Sequence, residues 1–464
     1  MPRKASHANW IEPAALIVFG LACLILGGSS RPIAFTPLAL RPIAVCCIMV
    51  FAWRVTRMQL ASVRVPLLLL GAFAVTIAIQ LVPIPAAIWP TLQGRAPYAA
   101  QLTALGLPLV AHPLSLTPDR TWNSLIALIV PLAMLLGYAA TGRSTRAMLL
   151  PALIAGGMAS AVLGIAQLAA GPDSALFFYQ ATNSDNPVGF FANRNHEAAF
   201  LAIMFPALRA WSLASPSNDP RRKARKAPPR TFIALGIGIF LVPMILATGS
   251  RAGFVLMLLG LAASYAIAPV ALPRPKRAAG RWALIAGIVG IILIVVVTIT
   301  SGRAVTLQRV LASNDVSSDL RLAYMPTMLG LIGRFWVFGS GFGSFDPVLR
   351  GSEPDALLHG RYFNNAHNDL IELVMTGGLA STLVLLAFLF WVGRTTIATF
   401  SLPGERQDIH QARAAAMMIG LLLLASLLDY PIRTPLISAT LALLCAWLAV
   451  ANPGLPVART RGES

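Results

Sequence analysis

Three short polar stretches interrupt an otherwise apolar chain, and each sets ionisable side chains and amides at the edge of a hydrophobic run. The richest is Phe363-Asn-Asn-Ala-His-Asn-Asp-Leu-Ile-Glu-Leu-Val-Met-Thr-Gly-Gly378, which presents His367, Asn368, Asp369 and Glu372. The second is Asn193-Arg194-Asn195-His196, followed by Glu197; the third is Gly249-Ser250-Arg251-Ala252-Gly253. Ionisable groups at membrane depth are costly and mark working sites. A guanidinium is always charged and grips a diphosphate with its planar fork. Two or more such groups could stabilise a departing diphosphate without a divalent metal. A neutral histidine can take the proton of an attacking hydroxyl, and a neighbouring carboxylate can hold its tautomer.

Each stretch also has a structural alternative. An arginine at a span end can be a snorkelling anchor. Glu197 could serve only as the ion-pair partner of Arg194. His367-Asn-Asp-Leu-Ile-Glu also has the make-up of a helix N-terminus with capping amides and acids. No Asp-x-Asp pair stands in an external loop: Asp346, Glu353 and Asp355 are scattered and Asp185 is alone. The chemistry is therefore expected to need neither metal nor cofactor.

The elements that must position these residues follow from composition. Of 464 residues, 57% are hydrophobic and 11% charged, with a mean hydropathy of +0.72. That is about half the charge of an ordinary soluble chain, and too little polar surface to cover a soluble body. The reading is an all-α, polytopic membrane protein. Net charge is +19, from 36 Lys and Arg against 17 Asp and Glu. The positive charges gather in short loops, as topology determinants do, which argues against nucleic acid as a partner. Cys23, Cys46, Cys47 and Cys445 all fall inside apolar runs and read as packing residues.

With a ruler of about 20 apolar residues per span, about 12 spans are expected. They cover 13–29, 36–53, 66–86, 121–141, 147–169, 196–214, 231–248, 252–270, 281–300, 367–391, 410–428 and 434–451. Basic residues follow every even-numbered span, which sets both termini in the cytoplasm. Arg221–Arg230 is the strongest such run. All three polar stretches then lie on the external side. The organisation is 1–300, carrying spans one to nine; 301–366, a large external loop; and 367–464, carrying the last three spans and a cytoplasmic tail. Within the loop, Asp319–Gly333 reads as a short amphipathic helix capped by Ser317 or Ser318, lying on the membrane or over the bundle. Gly339-Ser-Gly-Phe-Gly-Ser-Phe345 follows it, with glycines that permit a tight turn.

These pieces, in this order, resemble the O-antigen ligase and polymerase superfamily of bacterial inner-membrane glycosyltransferases. The matching segments are Gly189–Ala199, Ala247–Gly253, Arg321 on the loop helix, Gly339–Phe345 and Asn365–Gly378. The resemblance implies a GT-C-like helical fold and an active site on the periplasmic face. It implies transfer of a glycan, with inversion, from undecaprenyl diphosphate to an acceptor hydroxyl, that of lipid A-core in a ligase or of another repeat unit in a polymerase. By position, Arg194 and Arg251 would grip the diphosphate, Arg321 would add positive charge, and His367 would act as general base or position the acceptor. Asn368 and Asp369 would orient His367, with Asn193, Asn195 and His196 lining the substrate site. Asn195-His196-Glu197 is more ionisable than the pattern leads one to expect, which leaves open which histidine matters more.

Two rivals belong to other classes. A secondary transporter or flippase would show internal repeats and charges near the midplane; here the charges cluster on one face and no repeat is visible. A membrane scaffold would need no arginine and histidine sites gathered there.

Overall fold

The computed structural model describes residues 10–30, 36–179, 185–214, 229–268, 316–357, 365–403 and 407–450. The helices are α1 (Ile11–Leu26), α2 (Thr36–Arg54), α3 (Arg57–Ala61), α4 (Arg64–Ile79), α5 (Ala96–Ala104), α6 (Pro118–Ala127), α7 (Ile129–Ala140), α8 (Arg143–Ala170), α9 (Arg194–Ala202) and α10 (Met204–Leu213). They continue as α11 (Pro229–Ala247), α12 (Arg251–Ile267), α13 (Val316–Phe335), α14 (Phe345–Arg350), α15 (Asp369–Ser401), α16 (Gln407–Leu428) and α17 (Pro435–Val450). The only strands among the described residues, β1 (Pro83–Ile84) and β2 (His112–Pro113), form a small antiparallel ribbon with Ile84 opposite His112.

The protein is an all-α membrane protein. Among the described residues, six stretches of helix are long and apolar enough to cross a bilayer, and α1, α4, α12 and α17 are shorter apolar helices. Every expected span overlaps a described helix except 281–300, which lies outside the described residues. Two expected spans are built from two segments each, α6 with α7 and α9 with α10. The breaks have a common cause. Pro131 and Pro206 lack the N–H that would reach the carbonyls of Ala127 and Ala202, the last residues of α6 and α9. Leu128 and Ile203, at the junctions, stay right-handed, so each pair runs on as one rod. In α15 the break is sharper: Gly378 adopts φ 67°.

A first core joins α1, α2, α7, α9, α10, α12, α16 and α17 around side chains such as Phe19, Phe51, Phe200, Ile203 and Leu422. A second, smaller core lies over the first half of α15. Tyr324, Met328, Leu331 and Phe335 form one stripe of α13 and meet Phe345, Val348 and Leu349 of α14 and Met375 of α15. The loop helix is thus longer than Asp319–Gly333 and its apolar stripe packs over the bundle, while Leu329 on another face stays exposed. This cap and the bundle together fix the segment that carries His367.

Candidate functional site

All three polar stretches fold as helix N-termini. Asn193 caps α9, its side chain accepting from Asn195 N at 2.9 Å. Ser250 caps α12, with Gly253 N donating to its Oγ at 2.9 Å. Asn368 caps α15 and accepts from Leu370 N and Ile371 N at 3.0 and 3.1 Å. Arg194 and Arg251 therefore occupy the first residue of their helices. A cation there opposes the helix dipole, whereas the exposed N–H groups of the same turn favour an anion. The two turns are neighbours. A Cβ placed on Gly253 would fall 2.4 Å from Ala198 Cβ, so α12 reaches α9 more closely than any side chain allows. Both arginines are half-buried.

The centre of the site is a residue that the sequence did not single out. Asp429, 2% exposed, follows α16 directly. Its Oδ2 accepts from Asn195 Nδ2 at 2.7 Å and Asn193 Nδ2 at 3.0 Å. Its Oδ1 accepts from His367 Nδ1 at 3.0 Å and from Tyr430 N at 3.1 Å. His196 Nε2 lies 4.0 Å from Oδ2. The Tyr430 ring stands between the two imidazoles, 5.2 Å from His196 and 5.1 Å from His367. Burial alone would raise the Asp429 carboxyl; the His367 hydrogen bond, the two nearby imidazoles and the Asn195 amide outweigh it and hold it below the ordinary carboxylate range.

His367 is the one non-glycine residue of positive φ (49°) among the described residues. This left-handed backbone costs energy in a bulky residue and persists where the surroundings impose it. With Nδ1–H given to Asp429, the neutral ring carries its lone pair on Nε2, the atom able to accept a proton.

Several expectations meet a different arrangement. Asp369 Oδ1 accepts from Arg433 Nε at 2.7 Å, because Arg433 projects from the link between α16 and α17 onto the first turn of α15. Asn368 is spent on its helix cap. Asp429 is the side chain that stands at hydrogen-bond distance, 3.0 Å, from His367 Nδ1. Glu197 does not pair with Arg194: it is 1% exposed and accepts from Ser160 Oγ of α8 at 2.6 Å. His196 is buried and packs edge-on against Phe191, further inside than His367. Arg321 lies in α13, with its side chain outside the described residues. Asn193, Asn195, His196 and His367 are brought together around Asp429, beside Arg194. The sequence held one signal for the missed residue: Asp429 is the sole acid between Asp408 and Glu463.

Residues 236–386 match the family model described as O-antigen ligase. The matched segment runs from within α11 to within α15 and so contains Arg251, the cap helix α13, the glycine-rich turn and His367. No curated protein matches the chain. This matched domain supports the O-antigen ligase and polymerase superfamily.

Proposed function

We propose that the protein transfers a glycan from undecaprenyl diphosphate to an acceptor hydroxyl, with lipid A-core as the acceptor, at the periplasmic face of the bacterial inner membrane. The observation that carries this reading is the His367–Asp429 pair beside two packed helix N-termini that each open on an arginine. The acceptor hydroxyl gives its proton to His367 Nε2 as its oxygen attacks the anomeric carbon. The bond from that carbon to the diphosphate oxygen breaks, with inversion. Arg194 and Arg251 meet the charge that develops on the departing undecaprenyl diphosphate, and Arg321 adds to the positive field. Asp429 holds the histidine tautomer and stabilises the imidazolium that forms. In this scheme the arginines carry the electrostatic stabilisation, and no metal takes part.

The same donor chemistry serves a repeat-unit polymerase, in which the acceptor is another lipid-linked unit. Deletion of the gene separates the two. Loss of polymer from lipid A-core, with lipid-linked polymer accumulating, supports the ligase; accumulation of single repeat units supports the polymerase. Normal surface glycan after deletion, or after His367→Ala with intact membrane insertion, would refute both. Full transfer by the purified protein in EDTA is expected, and a strict metal requirement would overturn the role given to the arginines.

A further inference from the structure

We propose that Arg433 is a positioning residue for His367: by joining its own turn to Asn365, Asp369 and Glu372, it sets the contact between His367 and Asp429. This inference rests on the proposed role of His367. The two partners of that contact are 62 positions apart in the chain and sit on different links between helices. Their separation depends on whatever ties the links together.

Arg433 is placed to do so. Its Nε donates to Asp369 Oδ1 at 2.7 Å, and its Nη1 donates to Asn365 Oδ1 at 3.2 Å and to Glu372 Oε1. The second oxygen of Glu372, Oε2, accepts from Ala366 N at 2.9 Å. The chain of contacts therefore runs from the guanidinium to the residue immediately before His367. On the other side, Arg433 N donates to Tyr430 O at 3.3 Å, so its backbone belongs to the turn that begins at Asp429. One residue thus ties the two ends of the pair together, by its side chain on one side and its backbone on the other. Glu372 is 2% exposed, and a buried carboxylate needs such a partner. Lysine would not replace it: a single ammonium cannot span two carboxylates and an amide as the planar fork does. The acids of the His367 segment are then clamps for the loop rather than proton carriers.

The test uses the full-length purified protein with an undecaprenyl-diphosphate-linked glycan as donor. Arg433→Lys and Arg433→Ala are compared with wild type, alone and in an Asp429→Asn background. Misplacing a reacting group by an ångström costs about 100-fold, so Arg433→Lys should lower kcat by about that factor with donor KM nearly unchanged. In the Asp429→Asn background the same change should add less than about threefold, because the contact it sets is already lost. Should Arg433→Ala fail to fold, Arg433→Lys carries the measurement. A rise in donor KM at unchanged kcat would make Arg433 a diphosphate ligand and overturn the inference. So would losses that multiply fully across the two sites. An inactive His367→Ala beside a fully active Arg433→Lys overturns the positioning role alone; an active His367→Ala overturns the function beneath it.

Discussion

Asp429 Oδ1 lies 3.0 Å from His367 Nδ1, and the carboxylate is buried while the imidazole remains partly open. A buried acceptor on Nδ1 fixes which nitrogen of the ring is basic. Asp429→Asn keeps the size of the side chain but removes the charge and offers an N–H where the ring also donates. General-base catalysis contributes about 10²–10⁴-fold, and kcat for glycan transfer should fall within that range. Donor KM should stay near the wild-type value. Initial rates on purified protein decide it, and a wild-type kcat would remove Asp429 from the mechanism.

Protonation of Asp429 should also be visible as stability. Its carboxyl is held below the ordinary range despite burial, so folding favours the ionised form. The sign follows: the stabilisation is present above the unfolded carboxyl pKa of about 3.9 and is lost as pH falls through the lower folded value. In thermal melts, the gap between wild type and Asp429→Asn should be constant from neutral pH to about pH 4 and narrow below it. A gap that stayed constant down to about pH 2 would rule out the ionised carboxylate as its source.

Gly253 controls the spacing of the two arginine-bearing turns. A Cβ there meets Ala198 Cβ at 2.4 Å, and both residues are buried within helices. Gly253→Ala should destabilise by about 1–3 kcal/mol, the usual cost of overpacking. It should also raise donor KM, since Arg194 and Arg251 would be pushed apart. Removing the opposing methyl with Ala198→Gly in the same chain should restore most of the KM. A melting point and donor affinity unchanged in Gly253→Ala would separate the two helices from any joint role.

The apolar runs made the helices legible, because a span needs only length and composition, and both are local properties. Pro131 and Pro206 were equally visible, yet the breaks at Leu128 and Ile203 were not expected. A proline's cost depends on whether neighbouring helices hold the rod straight. Arg194, Arg251 and His367 stood out as charges where the topology asks for none. Asp429 and Arg433 did not, since a five-residue link offers no spacing to read and their partners come from segments far away in the chain. Glu197 misled for the converse reason. It sits within reach of Arg194 along the helix, but burial against α8 gave it Ser160 instead.

The glycine-rich turn is a structural splint for the broken helix α15, which gives a last prediction. Gly339 has φ 72°, and a Cβ on it would meet Thr376 O at 2.3 Å and Gln80 Nε2 at 2.6 Å. Its carbonyl accepts from Arg95, a wholly buried side chain that also donates to Gln93 O at 2.9 Å. Ser340 N and Gly341 N donate to Met375 O and Thr376 O, the carbonyls freed where α15 breaks at Gly378. Gly339→Ala would combine left-handed strain of about 1–2 kcal/mol with overpacking of about 1–3 kcal/mol. It should therefore lower the melting temperature and the folded yield, whatever glycan is offered. Gly330→Ala in α13 is the matched control: its Cβ meets nothing, and alanine in a helix gains roughly 0.5–1 kcal/mol over glycine. Thermal unfolding of the two variants should move in opposite directions. If Gly339→Ala melted with wild type yet lost donor binding, the turn would be a substrate loop and not a splint.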